Sequence, residues 1–263
     1  MPKKATLTHH KVQHYGWVPD LPDARDHGYA APRAVMVKLP THIDLRPQCP
    51  VIYDQGQLGS CTGNAIAGAV QFERAKQKLT PDFIPSRLFI YYNERVIEGT
   101  VGTDAGAAIR DGIKVVATLG VPPETDWGYD IAKFAQKPPV AAFTDALKDK
   151  ALSYQRISHS LTQMKGCLAS GYPFVFGFTV YDSFESQTVA QTGVVPMPGP
   201  GETVLGGHAT LAVGYDDSQQ RFIVRNSWGE TWGMKGYFTI PYTYLTQRSL
   251  SSDFWTIRLV ASH

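Results

Sequence analysis

The sequence predicts an α+β protein in which a helical lobe packs on an antiparallel β-sheet or barrel lobe, with the active site in the cleft between them. Two patterns carry this prediction. Runs with helical spacing come first in the chain, and strand-like runs follow Pro138 and Pro139. The chain is also long enough for a substantial core, since 43% of its 263 residues are apolar. We place the helical lobe at about residues 50–135 and the β lobe at about 140–263.

The first 38 residues differ in character from the rest of the chain. They are rich in His, Pro, Lys and Arg and keep no period of 3.6 or 2. We therefore expect an extended N-terminal arm over residues 1–38, anchored by Tyr15, Trp17 and Leu21, and a folded domain over residues 39–263. A disordered tail is the alternative.

Helices are predicted where apolar residues recur every three or four positions between capping residues and breakers. The first begins at Cys61 and ends before Pro81, the second begins at Ser86 and ends before Gly99, and the third ends before Gly120. The predicted helices cover residues 61–79, 86–97, 104–119 and 160–170. Strands rich in aromatic and β-branched residues are predicted at residues 173–181, 208–216, 221–228, 236–244 and 254–261.

Composition sets limits on partners and cofactors. The chain has 25 Lys and Arg against 23 Asp and Glu, which gives no reason to expect a nucleic-acid partner. No stretch approaches the roughly 20 apolar residues that span a bilayer, and no apolar core follows the first positive charges, so we expect neither a membrane partner nor an intact secretory signal. The cytoplasm is then the default compartment, export stays possible, and a monomer is expected.

Cysteine and histidine counts argue against structural metal or disulfide chemistry. Three cysteines cannot form a disulfide framework, and at most Cys49 and Cys167 pair while Cys61 stays free. The histidines His9, His10 and His14 lack an interleaved carboxylate or cysteine, so we expect solvated side chains there. No metal site and no cofactor are predicted.

The stretch DQGQLGSCTGNA, residues 54–65, places a thiol at the start of a predicted helix. Gly56, Gly59 and Ser60 allow a tight turn just before Cys61. Free N–H groups and the positive end of the helix dipole favour an anion at this point, so we expect Cys61 to be partly or wholly thiolate. A nucleophilic cysteine also needs a proton acceptor elsewhere in the chain.

His208 is the best candidate for that acceptor. It follows two glycines at the start of a strand-like run, whereas the other histidines lie in the arm, near element boundaries or at the terminus. Asn226 in RNSWGETWGMKGYF is placed to orient the imidazole, and the Trp228 indole to cover their hydrogen bond. Alone, a strand histidine is more often structural, and the two motifs together point to catalysis.

DQGQLGSC, GGHATLAVGY and NSWGETWGMKGYF resemble the three signature blocks of the papain family of cysteine peptidases. His208 follows Cys61 by 147 residues and Asn226 follows His208 by 18, as that family requires. LPTHIDLR at residues 39–46 resembles the start of the mature enzymes. The segments GSCTGNA and PDLPDARD are most similar to the bacterial branch of the family. The resemblance covers about residue 39 to the C-terminus.

The resemblance implies a papain-like two-lobe fold and a cysteine endopeptidase that acts on peptides or proteins through a thioester on Cys61. His208 is then the general base and acid, Asn226 orients it, and Gln55 stabilises the oxyanion with the Cys61 N–H. The resemblance also implies that the Gly106 backbone pairs with an extended peptide, and that Ala107 and Ala209 line the pocket for the second residue before the scissile bond. With Trp228 they are the expected substrate-binding residues.

Two departures from the family and three open alternatives accompany this interpretation. Thr62 stands where a tryptophan usually follows the nucleophile, and Leu58 where a cysteine usually forms a disulfide, so we expect packing to hold the loop. The triad would also serve acyl transfer or deamidation, and a papain-fold chain can be a binding module. The arm is expected either to cover the cleft, as propeptides of the family do, or to be a disordered tail.

Overall fold

The computed structural model describes residues 14–261, and within that range helices pack on one large mixed sheet and a small two-stranded one. Its α-helices are α1 Arg33–Val37, α2 Cys61–Lys76, α3 Arg87–Glu98, α4 Ile109–Thr118, α5 Val140–Ala146, α6 Leu161–Ala169, α7 Gln187–Thr192 and α8 Tyr242–Thr246. Its strands are β1 Trp17–Val18, β2 Gly28–Tyr29, β3 His42–Asp44, β4 Ala107–Ala108, β5 Ala151–Ile157, β6 Phe174–Tyr181, β7 Val204–Asp216, β8 Arg221–Arg225, β9 Tyr237–Pro241 and β10 Ser251–Val260. The predicted α+β class is confirmed.

The large sheet is organised around β7, which is 13 residues long. β7 pairs antiparallel with β6 on one side and with β8 on the other, and the full order is β2-β5-β10-β6-β7-β8-β9 with β3 also on β7. Strand β2 joins this sheet in parallel, through β5. The core side of β6 presents Phe174, Phe176 and Phe178, all fully buried.

Helix α2 runs through the middle of the molecule and carries Cys61 at its first position. Small residues let neighbours approach closely: a Cβ on Gly63 would lie 2.8 Å from the Arg87 carbonyl oxygen of α3. Ile66, Ala67 and Val70 have almost no exposed surface. Because α2 also packs on β7, the N-terminus of α2 and the strand that carries His208 are held together.

The helix predictions are largely confirmed, and two boundaries move. α2 ends at Lys76, three residues before the predicted end. α3 has the expected caps: Ser86 accepts a hydrogen bond from the Phe89 N–H, and Gly99 is left-handed at φ 72°. α4 begins at Ile109 instead of residue 104. The delay arises because Gly106 has φ +75° and the next two residues, β4, pair with β1 of the arm.

The strand predictions differ mostly at their ends. β7 begins at Val204, four residues before the predicted start, and β8 ends at Arg225, before the predicted segment turns away at Asn226. Residues 242–246 form α8 and bury Tyr244 and Leu245, whereas we expected the strand to continue to residue 244. β5 was not predicted, since its middle residues are polar and only partly buried.

Several expectations about side chains are corrected or left open. Leu21 is 82% exposed and does not anchor the arm, whereas Trp17 is 8% exposed. Cys49, Cys61 and Cys167 are free thiols, so the one bridge that the sequence allowed does not form. α5 contributes Ala142 and Ala146 to a cluster with Phe89 of the helical side, and the lobe boundary near residue 140 stays a prediction. Within residues 14–261 the structure has no helix that could span a membrane.

Ser86→Ala tests the importance of the α3 cap. The fully buried Ser86 hydroxyl accepts from the Phe89 N–H and donates to the Trp127 carbonyl at 2.6 Å. Its loss should lower the free energy of unfolding by about 1–2 kcal/mol. Ser160→Ala is the matched control, because Ser160 precedes α6 without a side-chain cap bond. Chemical denaturation measures the free energy of unfolding of both variants. Equal losses of free energy would contradict the role assigned to the Ser86 cap.

Candidate active site

Cys61 lies at the junction of the 54–60 loop and α2, where its side chain is completely buried. The preceding loop is fixed by the Asp104 carboxylate, which accepts hydrogen bonds from the Gly59 N–H at 2.9 and 3.2 Å. Asp104 also accepts from the Tyr91 hydroxyl of α3. The position of the thiol is therefore set by groups on two separate segments of the helical side.

His208 and Asn226 are brought together by neighbouring strands β7 and β8. His208 Nε2 lies 2.9 Å from Asn226 Oδ1, and that oxygen also accepts the Ser227 N–H. Since an amide oxygen only accepts, Nε2 must carry the proton in neutral His208, which leaves Nδ1 with the basic lone pair. Nδ1 is buried and has no hydrogen-bond partner among the described residues.

Aromatic rings exclude water from this pair. The Trp228 indole lies 5.1 Å from the His208 ring, centroid to centroid, and Phe178 lies 5.7 Å from it. His208 and Trp228 are both fully buried. Burial lowers the pKa of His208 to about 4, although the Asn226 hydrogen bond acts in the opposite direction. His208 is therefore neutral in this arrangement.

The Cys61 thiol contacts the backbone of β7, the strand that carries His208. The Ala209 N–H donates a hydrogen bond to Cys61 Sγ at 3.3 Å. Burial raises the pKa of the thiol to about 12, while the N–H groups of Ala209, Gly16 and Thr62 lower it. Exclusion of water therefore opposes the expected thiolate, whereas the N–H groups around the sulfur favour it.

Gln55 links the loop before Cys61 to the segment that carries Asn226. Its Oε1 accepts from the Ser227 hydroxyl at 2.6 Å, and its Nε2 donates to the Leu58 carbonyl at 2.9 Å. Its backbone N–H donates to the Ser227 carbonyl at 2.9 Å. These bonds fix the plane of the amide, and the side chain is 1% exposed.

The four residues expected to contact substrate lie around the same thiol. Gly106 immediately precedes β4 and Ala107 is its first residue, Ala209 donates its N–H to Cys61, and Trp228 covers His208. Ala107, Ala209 and Trp228 are fully buried. Their roles stay predictions, and the structure adds that this side of the site is covered by the arm.

Thr62 and Leu58, the two departures from the family, each make contacts that hold them in place. Thr62 is buried and donates a hydrogen bond to Glu94 Oε2 of α3 at 2.7 Å. Burial raises the pKa of Glu94 to about 8, so its carboxyl is largely protonated at neutral pH. Leu58 is 5% exposed and packs with Leu88, Tyr91 and Ala107. Packing of Leu58, which we expected, and the hydrogen bonds from Gly59 to Asp104 together hold the loop before Cys61.

The arm crosses this site from His14 to Val18. The Tyr15 ring lies edge-on to His208 at 6.1 Å and beside Trp228 at 6.4 Å, and its hydroxyl donates to Glu185. Gly16 is buried against Gly59, where a Cβ on Gly16 would come within 1.6 Å of the Gly59 carbonyl oxygen. The Gly16 carbonyl accepts from the Ala107 N–H at 2.7 Å, and β1 continues parallel to β4.

A cluster of charged residues holds the next part of the arm, and no sequence pattern indicated it. Asp20 and Asp26 of the arm meet Arg110, Arg156 and Asp253 of the body, and this set is the charged cluster. Arg110 donates to both Asp26 oxygens and, from its backbone N–H, to Asp20. Arg156 bonds Asp26 at 2.8 Å and Asp253 at 2.9 Å. Burial raises the pKa of Asp20, and the nearby Asp253 charge adds to the increase.

The histidine group considered for metal binding lies only partly within the described residues. Within residues 14–261 no group of three or more His, Cys, Asp or Glu side chains is arranged to hold a metal ion. His14 is exposed, and His9 and His10 lie outside the described residues. The expectation of no metal stays a prediction.

Comparisons with known proteins agree with this geometry. The family model described as papain family cysteine protease matches residues 39–252. The crystal structure of xylellain, a cysteine protease from Xylella fastidiosa, superimposes with a TM-score of 0.88 at 45% identity and covers 95% of this chain and 96% of that chain.

Curated relatives point the same way. An uncharacterised peptidase C1-like protein of Acanthamoeba polyphaga mimivirus is 48% identical over 222 residues, or 81% of this chain and 71% of that protein. Cathepsin B-like CP1 of Giardia intestinalis is 28% identical over 233 residues, or 77% of this chain and 68% of that protein. The resemblance drawn from the sequence motifs is confirmed: the chain belongs to the papain family of cysteine proteases.

Proposed function

We propose that the chain is an endopeptidase that hydrolyses peptide bonds through a thioester on Cys61, with His208 as general base and acid. The observation that carries the proposal is the 2.9 Å contact between His208 Nε2 and Asn226 Oδ1. It leaves the basic lone pair on Nδ1, and the next residue, Ala209, touches the Cys61 sulfur. A thiol, a base of fixed tautomer and an orienting amide are the parts that acyl transfer needs.

The proposed reaction has two steps. The Cys61 proton passes to His208 Nδ1 as sulfur attacks the substrate carbonyl, and the C–N bond then breaks while His208 returns the proton to the leaving amine. Water next attacks the thioester and gives a proton to His208; the C–S bond then breaks, and His208 returns that proton to sulfur to restore the Cys61 thiol. Asn226 keeps the imidazole oriented through both steps.

Gln55 and the Cys61 backbone N–H are the proposed donors to the oxyanion. Gln55 supports this role because its amide is buried and its oxygen is held by Ser227, so the NH₂ group keeps one orientation. Nε2 uses one hydrogen on the Leu58 carbonyl and has a second to donate. Fixed donors stabilise developing charge without reorganising during the reaction.

We also propose that the arm closes the cleft and regulates access to Cys61. Gly16 supports this because it lies between Gly59 and Gly106, in space where a substrate backbone would have to pass. Tyr15 covers His208, and the raised pKa of Cys61 reflects the same exclusion of water. The full chain is then a protease whose resting form must open before it binds substrate.

Cys61→Ala should abolish peptide hydrolysis, by at least about a thousandfold, because it removes the proposed nucleophile. The fold should survive, since the change removes only a sulfur atom. Cys49→Ala is the control thiol variant and should keep activity. Mass spectrometry of the products of an unstructured protein separates hydrolysis from amine transfer or deamidation. Parent-like turnover by the Cys61 variant would exclude the mechanism.

Gly16→Ala should raise the activity of the full-length chain about ten- to a hundredfold. Its Cβ would overlap the Gly59 carbonyl, and forcing an extra carbon into a packed site costs about 1–3 kcal/mol, which here destabilises only the docked arm. Gly28→Ala is the matched control, because a Cβ on that arm glycine meets nothing within 4 Å. The measurement is the initial rate on a fluorogenic peptide. Equal rates for both variants would exclude closure by the arm.

The pH dependence of Cys61 alkylation should differ between the parent and Gly16→Ala. The thiolate is the reactive form, and with a pKa of about 12 its fraction in the parent should rise roughly tenfold per pH unit up to pH 10 without a plateau. Opening the arm admits water, so the variant should reach its plateau at a lower pH. Iodoacetamide labelling, quantified on the Cys61 peptide, measures both profiles. Superimposable profiles would contradict the assigned cause of the raised pKa.

A further inference from the structure

We propose that Asp253 is the residue that sets the preference of the substrate side-chain pocket in this chain, and that it favours tryptophan. The pocket is the space now filled by the Trp17 indole; we call it the Trp17 pocket, and Ala107, Gly177, Gly207 and Asp253 bound it. The proposal deepens and rests on the proposed function, because it names the substrate class of the same site.

The Trp17 pocket lies one residue away from the nucleophile. The Gly16 N–H points at the Cys61 sulfur, and Trp17, the next residue, pairs with Ala107 across β1 and β4. On the opposite side, Gly177 is the Cα partner of Ala209, whose N–H donates to Cys61 Sγ. A substrate that replaces the arm must therefore place a side chain here, beside the residue whose carbonyl is attacked.

The shape of the pocket suits a flat, two-ring side chain. A Cβ on Gly177 would come within 1.9 Å of the Trp17 ring, and one on Gly207 within 2.6 Å of it. The indole therefore lies directly on two glycines of β6 and β7, and any other residue at either position would fill the space. Trp17 itself is 8% exposed, so the pocket encloses nearly the whole side chain.

Asp253 supplies a polar group at the end of this apolar space. Its Oδ2 accepts from Trp17 Nε1 at 3.1 Å and from the Asp20 N–H at 2.8 Å. Its Oδ1 is held by Arg156. Asp253 is 2% exposed and has φ +60°, at the place where the register of β10 shifts against β6. A left-handed aspartate in a strand is a costly conformation, and it is maintained where a side chain has to point to a specific partner.

The charges around Asp253 favour a neutral donor over a cation. With the arm in place the charged cluster has three carboxylates and two guanidinium groups. When Asp20 and Asp26 leave with the arm, the cluster keeps one carboxylate, Asp253, and two guanidinium groups, of which Arg156 is paired with Asp253. The net charge of these three side chains is then positive, which disfavours a substrate Arg or Lys. A Phe or Leu would leave Oδ2 buried without the indole donor. Sites built to accept a hydrogen bond discriminate strongly against analogues that lack the donor.

The first test uses full-length Gly16→Ala chain, which carries the intact pocket. Three peptides would differ only at the second residue before the scissile bond, which would be Trp, Phe or Arg. We expect kcat/KM for the Trp peptide to exceed that of each other peptide at least tenfold. Asp253→Gly, which fits the left-handed backbone, should remove the advantage of Trp over Phe, and Asp253→Asn should reduce it. Equal or faster cleavage of the Phe peptide, or an unchanged ratio in Asp253→Gly, would overturn the proposal.

A second test does not depend on hydrolysis. In the otherwise unchanged full chain, Trp17→Phe keeps a ring in the pocket and removes the N–H. We expect alkylation of Cys61 to become about tenfold faster, because the arm opens more often, and to show no such increase when Trp17→Phe is added to Asp253→Gly. Labelling of the fully buried Cys167 reports any general unfolding. If the arm of the Trp17→Phe variant protects Cys61 from alkylation as well as the parent arm does, Asp253 does not recognise the indole N–H.

The two tests separate the proposal from the proposed function. If the Gly16→Ala chain cleaves no peptide while alkylation depends on the Trp17–Asp253 pair as expected, the hydrolytic function fails and the pocket preference stands. If peptides are cleaved without preference for Trp, the function stands and the pocket preference fails.

Discussion

The His208–Asn226 hydrogen bond sets the chemistry of the site, and much of the surrounding structure excludes water from that bond. Trp228 and Phe178 pack around the imidazole, and the loop that carries Asn226 is tied by Ser227 to Gln55 before the nucleophile. In a low-dielectric environment such hydrogen bonds strengthen, while charge on either partner becomes costly. Burial accordingly disfavours charge on both the imidazole and the thiol, and a change in the surroundings of Cys61 that admits water would favour the ion pair.

The arm provides the remaining cover, and it does so with two different kinds of contact. Near Cys61 the contact is made by backbone, since Gly16 fits against Gly59 and Gly106 without space for a side chain. Farther along the arm, the contacts are made by charged side chains, because Arg110 and Arg156 of the body bind Asp26 of the arm. Buried ion pairs contribute little net stability but cost several kcal/mol when one partner is lost, so the charged cluster favours one docked position over many loose ones.

How much the sequence revealed depended on whether the signal was local. The caps at Ser86 and Gly99 predicted α3 nearly to the residue, and the spacing of Cys61, His208 and Asn226 predicted which side chains would meet. The Asp20–Asp253 contact joins residues 233 positions apart and leaves no local pattern, so it was missed. The complete burial of Cys61, which opposes the expected thiolate, was not foreseen for the same reason, because Tyr15 and Gly16 lie far upstream in the arm.

In the closed form that we propose, the covalent connection between the arm and the body makes closure an intramolecular event. For a short tether, the occupant of a site behaves as if present at roughly millimolar concentration, whatever the amount of protein in solution. A substrate must therefore outcompete a resident segment that dilution cannot remove, and the same arm sequence supplied as a free peptide would act only at far higher amounts. The contact at Gly16 thus sets a threshold of substrate concentration or affinity below which Cys61 stays out of reach.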